Sequence, residues 1–101
     1  MYSLSKSTKF KKALKKVSKY KNFDMNELDN ITLVLQKRDP VDKKYNDHKA
    51  VKQSFPEIKG MRILHLRPNI CLIYKVLDDE EVIYLYDIGS HQDTGITEDL
   101  N

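Results

Sequence analysis

The sequence predicts an α+β fold, an N-terminal helical hairpin packed on a small antiparallel β-sheet, in one domain spanning residues 1–101. Three observations carry that expectation. Apolar residues recur at helical spacing up to Leu35, the period changes to two from Met61, and the later strands are joined by links too short for parallel crossovers.

The elements follow in order. Tyr2 and Leu4 alternate with Ser3 and Ser5, the pattern of a short strand. Ser7 or Thr8 can then cap a helix, because a hydroxyl oxygen accepts from the orphan amides of its first turn. Phe10, Ala13, Leu14 and Val17 form one apolar stripe, while Lys9, Lys12, Lys16 and Lys19 make a positive ridge on the far side. This helix should fade between Tyr20 and Phe23. Asp24 with Glu27 resembles a capping box and opens a second helix, with Met25, Leu28, Ile31, Val34 and Leu35 inward. It must stop before Pro40. Residues 39–60 carry no sustained period and read as a long irregular connection holding His48, with a short helical turn around Ala50 to Ser54. Strands are expected at Met61–Arg67, Ile70–Leu77 and Val82–Ile88, turning at Pro68-Asn69 and at the acidic run Asp78 to Glu81.

Composition narrows the function classes. The longest apolar run, Ile70 to Tyr74, is far short of the roughly 20 residues that a membrane span needs. Lysines from Lys6 onward interrupt anything like a secretion signal, so a cytoplasmic protein with no membrane partner is expected. The single cysteine, Cys71, forbids an internal disulfide and falls in an apolar strand, where a buried thiol is the default. Charge is uneven: residues 1–23 hold eight lysines and no acid, and the rest of the chain carries a net charge of −5. A basic arm on an acidic body suits a polyanion or an acidic partner; a solvated lysine face is the simpler alternative.

The meander itself points to chemistry. If Leu77 pairs near Val82, Ile70 lies near Gly89, and His65 and His91 meet at one end of the sheet on strands roughly 10 Å apart. His65 alternates with Leu64 and Leu66, which sets it on the face away from the helices. Imidazoles can give or take a proton at neutral pH. Cleavage of RNA by its own 2′-hydroxyl needs a base, an acid and cations at the phosphate. His65 and His91, with Arg62, Arg67 and nearby lysines, would supply them without a metal. A zinc site is not expected, because no two of His48, His65, Cys71 and His91 have the close spacing of structural zinc ligands. Gly-rich phosphate loops and the GxSxG motif are absent. For each histidine alone, a surface or structural role is the plain alternative, as strand packing is for Tyr84 and Tyr86.

Arg62-x-x-His65-x-x-Pro68, then Cys71-Leu-Ile-Tyr-Lys-Val76, an acidic turn and Gly89-Ser-His91 resembles the YafQ branch of the RelE/ParE toxin superfamily. The helices and the Asp47-His48 pair fit as well, so the likeness covers nearly the whole chain. It implies a type II toxin acting as a ribosome-dependent endoribonuclease on messenger RNA, with no metal or cofactor. The implied partners are a cognate antitoxin, ribosomal RNA and mRNA, with DNA reached only through the antitoxin complex. By matching positions His48, His65 and His91 form the acid–base set, and the lysine helix contacts ribosomal RNA.

Some positions depart from the branch. Asn69 stands where an aspartate is common, and an amide orients but exchanges no proton. The branch's tryptophan is missing, the tail after His91 lacks the usual leucine-phenylalanine ending, and the His48–His65 interval is expanded. Two other readings share this fold: a ParE-like inhibitor of DNA gyrase, which has no need of clustered imidazoles, and an RNA-binding or interaction module without catalysis.

Overall fold

The structure is a computed structural model that describes residues 1–50, 58, 60–67 and 69–96. Five strands form one sheet: β1 (Ser3–Lys6), β2 (His48–Lys49), β3 (Arg62–Leu66), β4 (Ile70–Leu77) and β5 (Val82–Gly89), in the order β1-β5-β4-β3-β2. The helices are α1 (Thr8–Val17), α2 (Met25–Gln36) and a single turn, α3 (His91–Thr94), with a 3-10 turn at Lys43–Tyr45. The α+β class and the central antiparallel meander are as the sequence predicts. The sheet is mixed rather than wholly antiparallel, because β1 runs parallel to β5 from Ser3 opposite Val82 to Lys6 opposite Leu85.

Local chemistry sets the helix bounds. Ser7 caps α1, its hydroxyl accepting from the Phe10 amide at 2.9 Å. The helix ends at Val17, the last residue of its apolar stripe and short of the Tyr20–Phe23 span where it was expected to fade, and releases Tyr20 into the following turn. Asp24 caps α2 by accepting from Asn26 N–H. The expected reciprocal arm of that cap is absent: the Glu27 carboxylate turns instead to Arg67. Met25 is exposed, since it opens the helix before the chain reaches the sheet, and Thr32 is buried in its stead. Both helices share the core, and each docks on the β1–β5 side of the sheet.

Two apolar clusters sandwich the sheet. Leu64, Leu66, Leu72, Tyr74, Ile83, Leu85 and Ile88 face the helices with Phe10, Val17, Leu28, Ile31 and Leu35. On the other face Ile63, Cys71 and Ile73 are sealed by Ala50, Ile58 and Ile96. From Val82 to Tyr86, Ile83 and Leu85 are buried against the helices while Val82, Tyr84 and Tyr86 are half-buried. The expected connection before β3 contains the short edge strand β2, which pairs His48 with Ile63 and Lys49 with Arg62. The helical turn expected beyond Ala50, Pro56, Pro68 and the last five residues lie outside the described residues.

One irregularity positions the site. Leu77 pairs with Val82 as anticipated, but the register shifts between Ile73 and Tyr74, so Cys71, not Ile70, stands opposite Gly89. The extra residue is Tyr86, since Tyr74 pairs with Leu85 and Ile73 with Asp87. A bulge re-aims the side chains beyond it. Here it puts Asp87 and Gly89 on the face of Cys71 and His65.

Candidate active site

Three strands and a helix start bring the histidines into a row. His65 on β3 pairs with Cys71 on β4, and Cys71 pairs with Gly89 on β5, so all three share the face away from α1 and α2. His48, opposite Ile63, joins them from β2. The ring of His48 stacks on that of His65 with centroids 5.5 Å apart, and the His65 and His91 rings lie 5.8 Å apart. Each histidine is half-buried. The sulfur of Cys71 lies beneath, 3.7 Å from both ring nitrogens of His91.

Backbone carbonyls orient two of the rings. His65 Nδ1 lies 3.2 Å from the Asn46 carbonyl, and His48 Nδ1 lies 3.0 Å from the Lys49 carbonyl. A carbonyl only accepts, so each of these bonds calls for a ring that carries its proton on Nδ1. Asn46 presents its carbonyl from a left-handed backbone conformation (φ 45°), which asparagine tolerates better than most residues.

His91 is delivered by α3. Ser90 caps that turn by accepting from Asp93 N–H, and Asp93 returns the bond to Ser90 N–H. The Asp93 carboxylate also accepts from Tyr20 O–H and from Lys16 Nζ at 2.9 Å, which ties α3 to α1. These donors, Tyr20 first and Lys16 next, hold the Asp93 carboxyl well below the usual carboxylate range, while the same bond raises the Tyr20 phenol. Gly89 is needed where α3 folds back: a Cβ there would sit 2.7 Å from Asp93 Cβ.

The arginines are not where the sequence reading put them. Arg62 is three residues from His65, so strand alternation sends its side chain to the helix face. There Nε and the guanidinium engage the Asp47 carboxylate, at 3.1 Å in the closest contact, and Asp47 also accepts from Tyr74 O–H at 2.7 Å. Burial and the Asp47 charge both push the Tyr74 phenol upward. The three residues border a groove of about 620 Å³ under the C-terminal end of α2, away from the histidine row. Arg67 reaches Glu27 on α2 instead. Asn69 is exposed in the turn between β3 and β4.

The lysine ridge comes nearer. Lys9, Lys12 and Lys16 are exposed on α1 and Lys19 in the turn that follows it; Lys16 reaches the turn that carries His91, and Lys9 lies 3.8 Å from Asp87 and over the Tyr86 ring. Asp87 itself is buried, and burial raises its carboxyl against the pull of Ile88 N–H and Lys9. Asp93 and Tyr20 were not among the candidate site residues. Asp93 carries a visible signal, the Ser90-x-x-Asp93 capping pattern, whereas Tyr20 is brought in by tertiary contact.

The architecture is that of known bacterial toxins. The metal-bound toxin from Helicobacter pylori is 31% identical, with a TM-score of 0.77 over 92% of this chain and 98% of that one. YafQ from E. coli strain BL21(DE3) is 27% identical, with a TM-score of 0.76 over 93% and 98%. YafQ in the E. coli DinJ-YafQ complex is 28% identical, with a TM-score of 0.73 over 92% and 97%. No curated protein sequence matches the chain. The family model for YafQ, the bacterial toxin of a type II toxin–antitoxin system, matches residues 2–95, and the chain belongs to that family. Among the described residues no helix is long and apolar enough to cross a membrane.

Proposed function

We propose that this toxin is a ribosome-dependent endoribonuclease that cuts messenger RNA by acid–base catalysis from His48, His65 and His91. The observation that carries the reading is the imidazole row, with ring spacings of 5.5 and 5.8 Å on one open face of the sheet. A phosphodiester laid along the row meets a ring on either side of its phosphorus. One imidazole takes the proton of the 2′-hydroxyl as its oxygen attacks. Another gives a proton to the departing 5′-oxygen, leaving a 2′,3′-cyclic phosphate and a 5′-hydroxyl. The three rings adjoin one another, so base and acid are assigned to the row as a set.

The cations of this reaction come from α1. With Arg62 held by Asp47, Arg67 by Glu27 and Lys16 by Asp93, the exposed Lys12 and Lys19 would supply the contacts to the RNA backbone. As YafQ does with DinJ in the E. coli complex, the chain pairs with a cognate antitoxin, and covering the lysine helix and the imidazole row would silence it. Its place of action is the cytoplasm, where ribosomes are.

Mapping mRNA ends after induction tests the reading. Codon-positioned ends bearing cyclic phosphate, lost in His65→Ala and His91→Ala, are the expected result. Intact mRNA with blocked gyrase supercoiling would overturn it in favour of a gyrase inhibitor.

A further inference from the structure

Beyond the imidazole row, the same face of the sheet carries two tyrosines that the cleavage chemistry leaves unused. Tyr84 pairs with Lys75 of β4, two residues beyond Ile73, and Tyr86 packs against the cluster of Ile63, Cys71 and Ile73. Strand alternation therefore sets Tyr84 on the face away from α1 and α2, and the β5 bulge brings Tyr86 to it as well. Their rings adjoin, with centroids 6.4 Å apart and planes tilted by 42°. Both residues are half-buried, seated on the sheet yet still partly accessible.

Cations flank the pair. Lys75 is exposed beside Tyr84. Lys9 stands at the other end, its Nζ 5.1 Å from the Tyr86 ring centroid and 3.8 Å from the buried Asp87 carboxylate, with its side chain still 55% exposed. Lys9 thus offsets the Asp87 charge, which would otherwise repel a polyanion. The acidic turn Asp78 to Glu81 lies at the opposite end of β5 from His91 and bounds the patch there. Tyr86 is three residues before Gly89, about 10 Å along the strand, so the patch continues into the imidazole row.

We propose that Tyr84 and Tyr86, with Lys9 and Lys75 beside them, form a stacking platform for single-stranded RNA that holds the bases next to the cut. Aromatic faces accept any base, and lysines follow the sugar–phosphate backbone, the combination that single-strand binders share. Lysine is depleted at protein–protein interfaces, so phenol rings bracketed by ammonium groups favour a nucleic acid over a protein. The position next to the cut rests on the nuclease reading above; RNA binding by the platform does not.

The test measures binding separately from cleavage. The full chain is titrated with a short single-stranded RNA, 2′-O-methylated throughout so that it cannot be cut, and followed by the anisotropy of a dye at its end. Tyr84→Leu and Tyr86→Leu should each weaken binding by roughly fivefold to a hundredfold. Tyr84→Phe and Tyr86→Phe should stay near the wild type, because stacking needs the ring and not the hydroxyl. A strand of the same length without bases should bind the wild type more weakly and distinguish little between wild type and leucine variants. Lys75→Gln, an exposed change that keeps the test open if a leucine variant folds poorly, should flatten the dependence of log affinity on log salt by roughly 0.7. Leucine variants that bind as tightly as the wild type, or a base-free strand bound as tightly as the full one, would overturn the platform. So would leucine variants that keep RNA affinity and lose the antitoxin, which would make the patch a protein surface.

A second arm follows mRNA cleavage on ribosomes. The leucine variants should raise KM with kcat little changed, because the imidazoles are intact. An unchanged KM overturns the placement beside the cut. RNA affinity lost in the leucine variants of a chain that cuts nothing even as wild type supports the platform and contradicts the nuclease reading alone.

Discussion

At Asp93 three donors converge on one carboxylate, from Tyr20, Lys16 and the Ser90 amide, and the turn they hold is the one carrying His91. Asp93 acts through that turn as a positioning residue. Asp93→Asn should lower the cleavage rate about tenfold to a hundredfold with little change in substrate affinity, the signature of a misplaced imidazole. Linkage gives an independent readout. Because the folded carboxyl is depressed, its stabilisation is present above the ordinary aspartate value of about 3.9 and is lost as pH falls through the lower folded value. The gap in urea midpoint between wild type and Asp93→Asn should therefore be wide at neutral pH and narrow on acidification. A gap independent of pH would contradict the assignment. Asp87 has the opposite sign, since burial raises it: its unfavourable contribution is absent below the ordinary value and grows as pH rises through the folded one. Asp87→Asn should be more stable than wild type at neutral pH, with the gain vanishing in acid by urea titration.

Strand alternation separates what the sequence places side by side. Arg62 and His65 stand three residues apart, yet one serves the helix face and the other the open face. Arg62→Ala should lower stability by about 1–3 kcal/mol in urea, because Asp47 loses its cation beside the Tyr74 phenol. Cleavage per folded molecule should stay near the wild-type value, whereas a phosphate-binding arginine would show a large loss. Much was legible at this scale: both helix caps, the period of the strands, and the face of His65 follow from side-chain spacing. The β5 bulge was not, because Val82 to Tyr86 is apolar throughout and offers no parity to count. That single extra residue moves Gly89 from Ile70 to Cys71 and so decides what lies under His91. The destination of Glu27 was hidden for a related reason. A cap and a tertiary ion pair compete for one carboxylate, and Arg67 is distant in the chain.

For the whole molecule, the division of charge becomes a geometry. The lysine helix lies against β5 and ties through Lys16 to the end of the imidazole row, so the positively charged surface borders the three imidazoles. Reversing Lys12 and Lys19 to Glu should weaken ribosome binding. It should also flatten the dependence of log affinity on log salt by roughly 0.7–0.9 per lost contact, as counterion release requires. The class of fold and the meeting of His65 with His91 were readable from the meander alone. The edge strands were less so: β2 has only two residues, and β1 joins as a parallel edge after a crossover through both helices. Short edge strands draw their order from the sheet they join, and local pattern cannot report that.

The most direct measurement is the cleavage of a defined mRNA on purified ribosomes by the purified toxin, with 5′ and 3′ ends mapped and end groups identified. Cuts at codon-defined positions are expected, with 2′,3′-cyclic phosphate upstream and 5′-hydroxyl downstream. His48→Ala, His65→Ala and His91→Ala should each slow cleavage by about 10²–10⁴-fold while their thermal unfolding stays close to wild type. Ends bearing a 5′-phosphate, or folded histidine variants that cut as fast as the wild type, would contradict acid–base catalysis by the row.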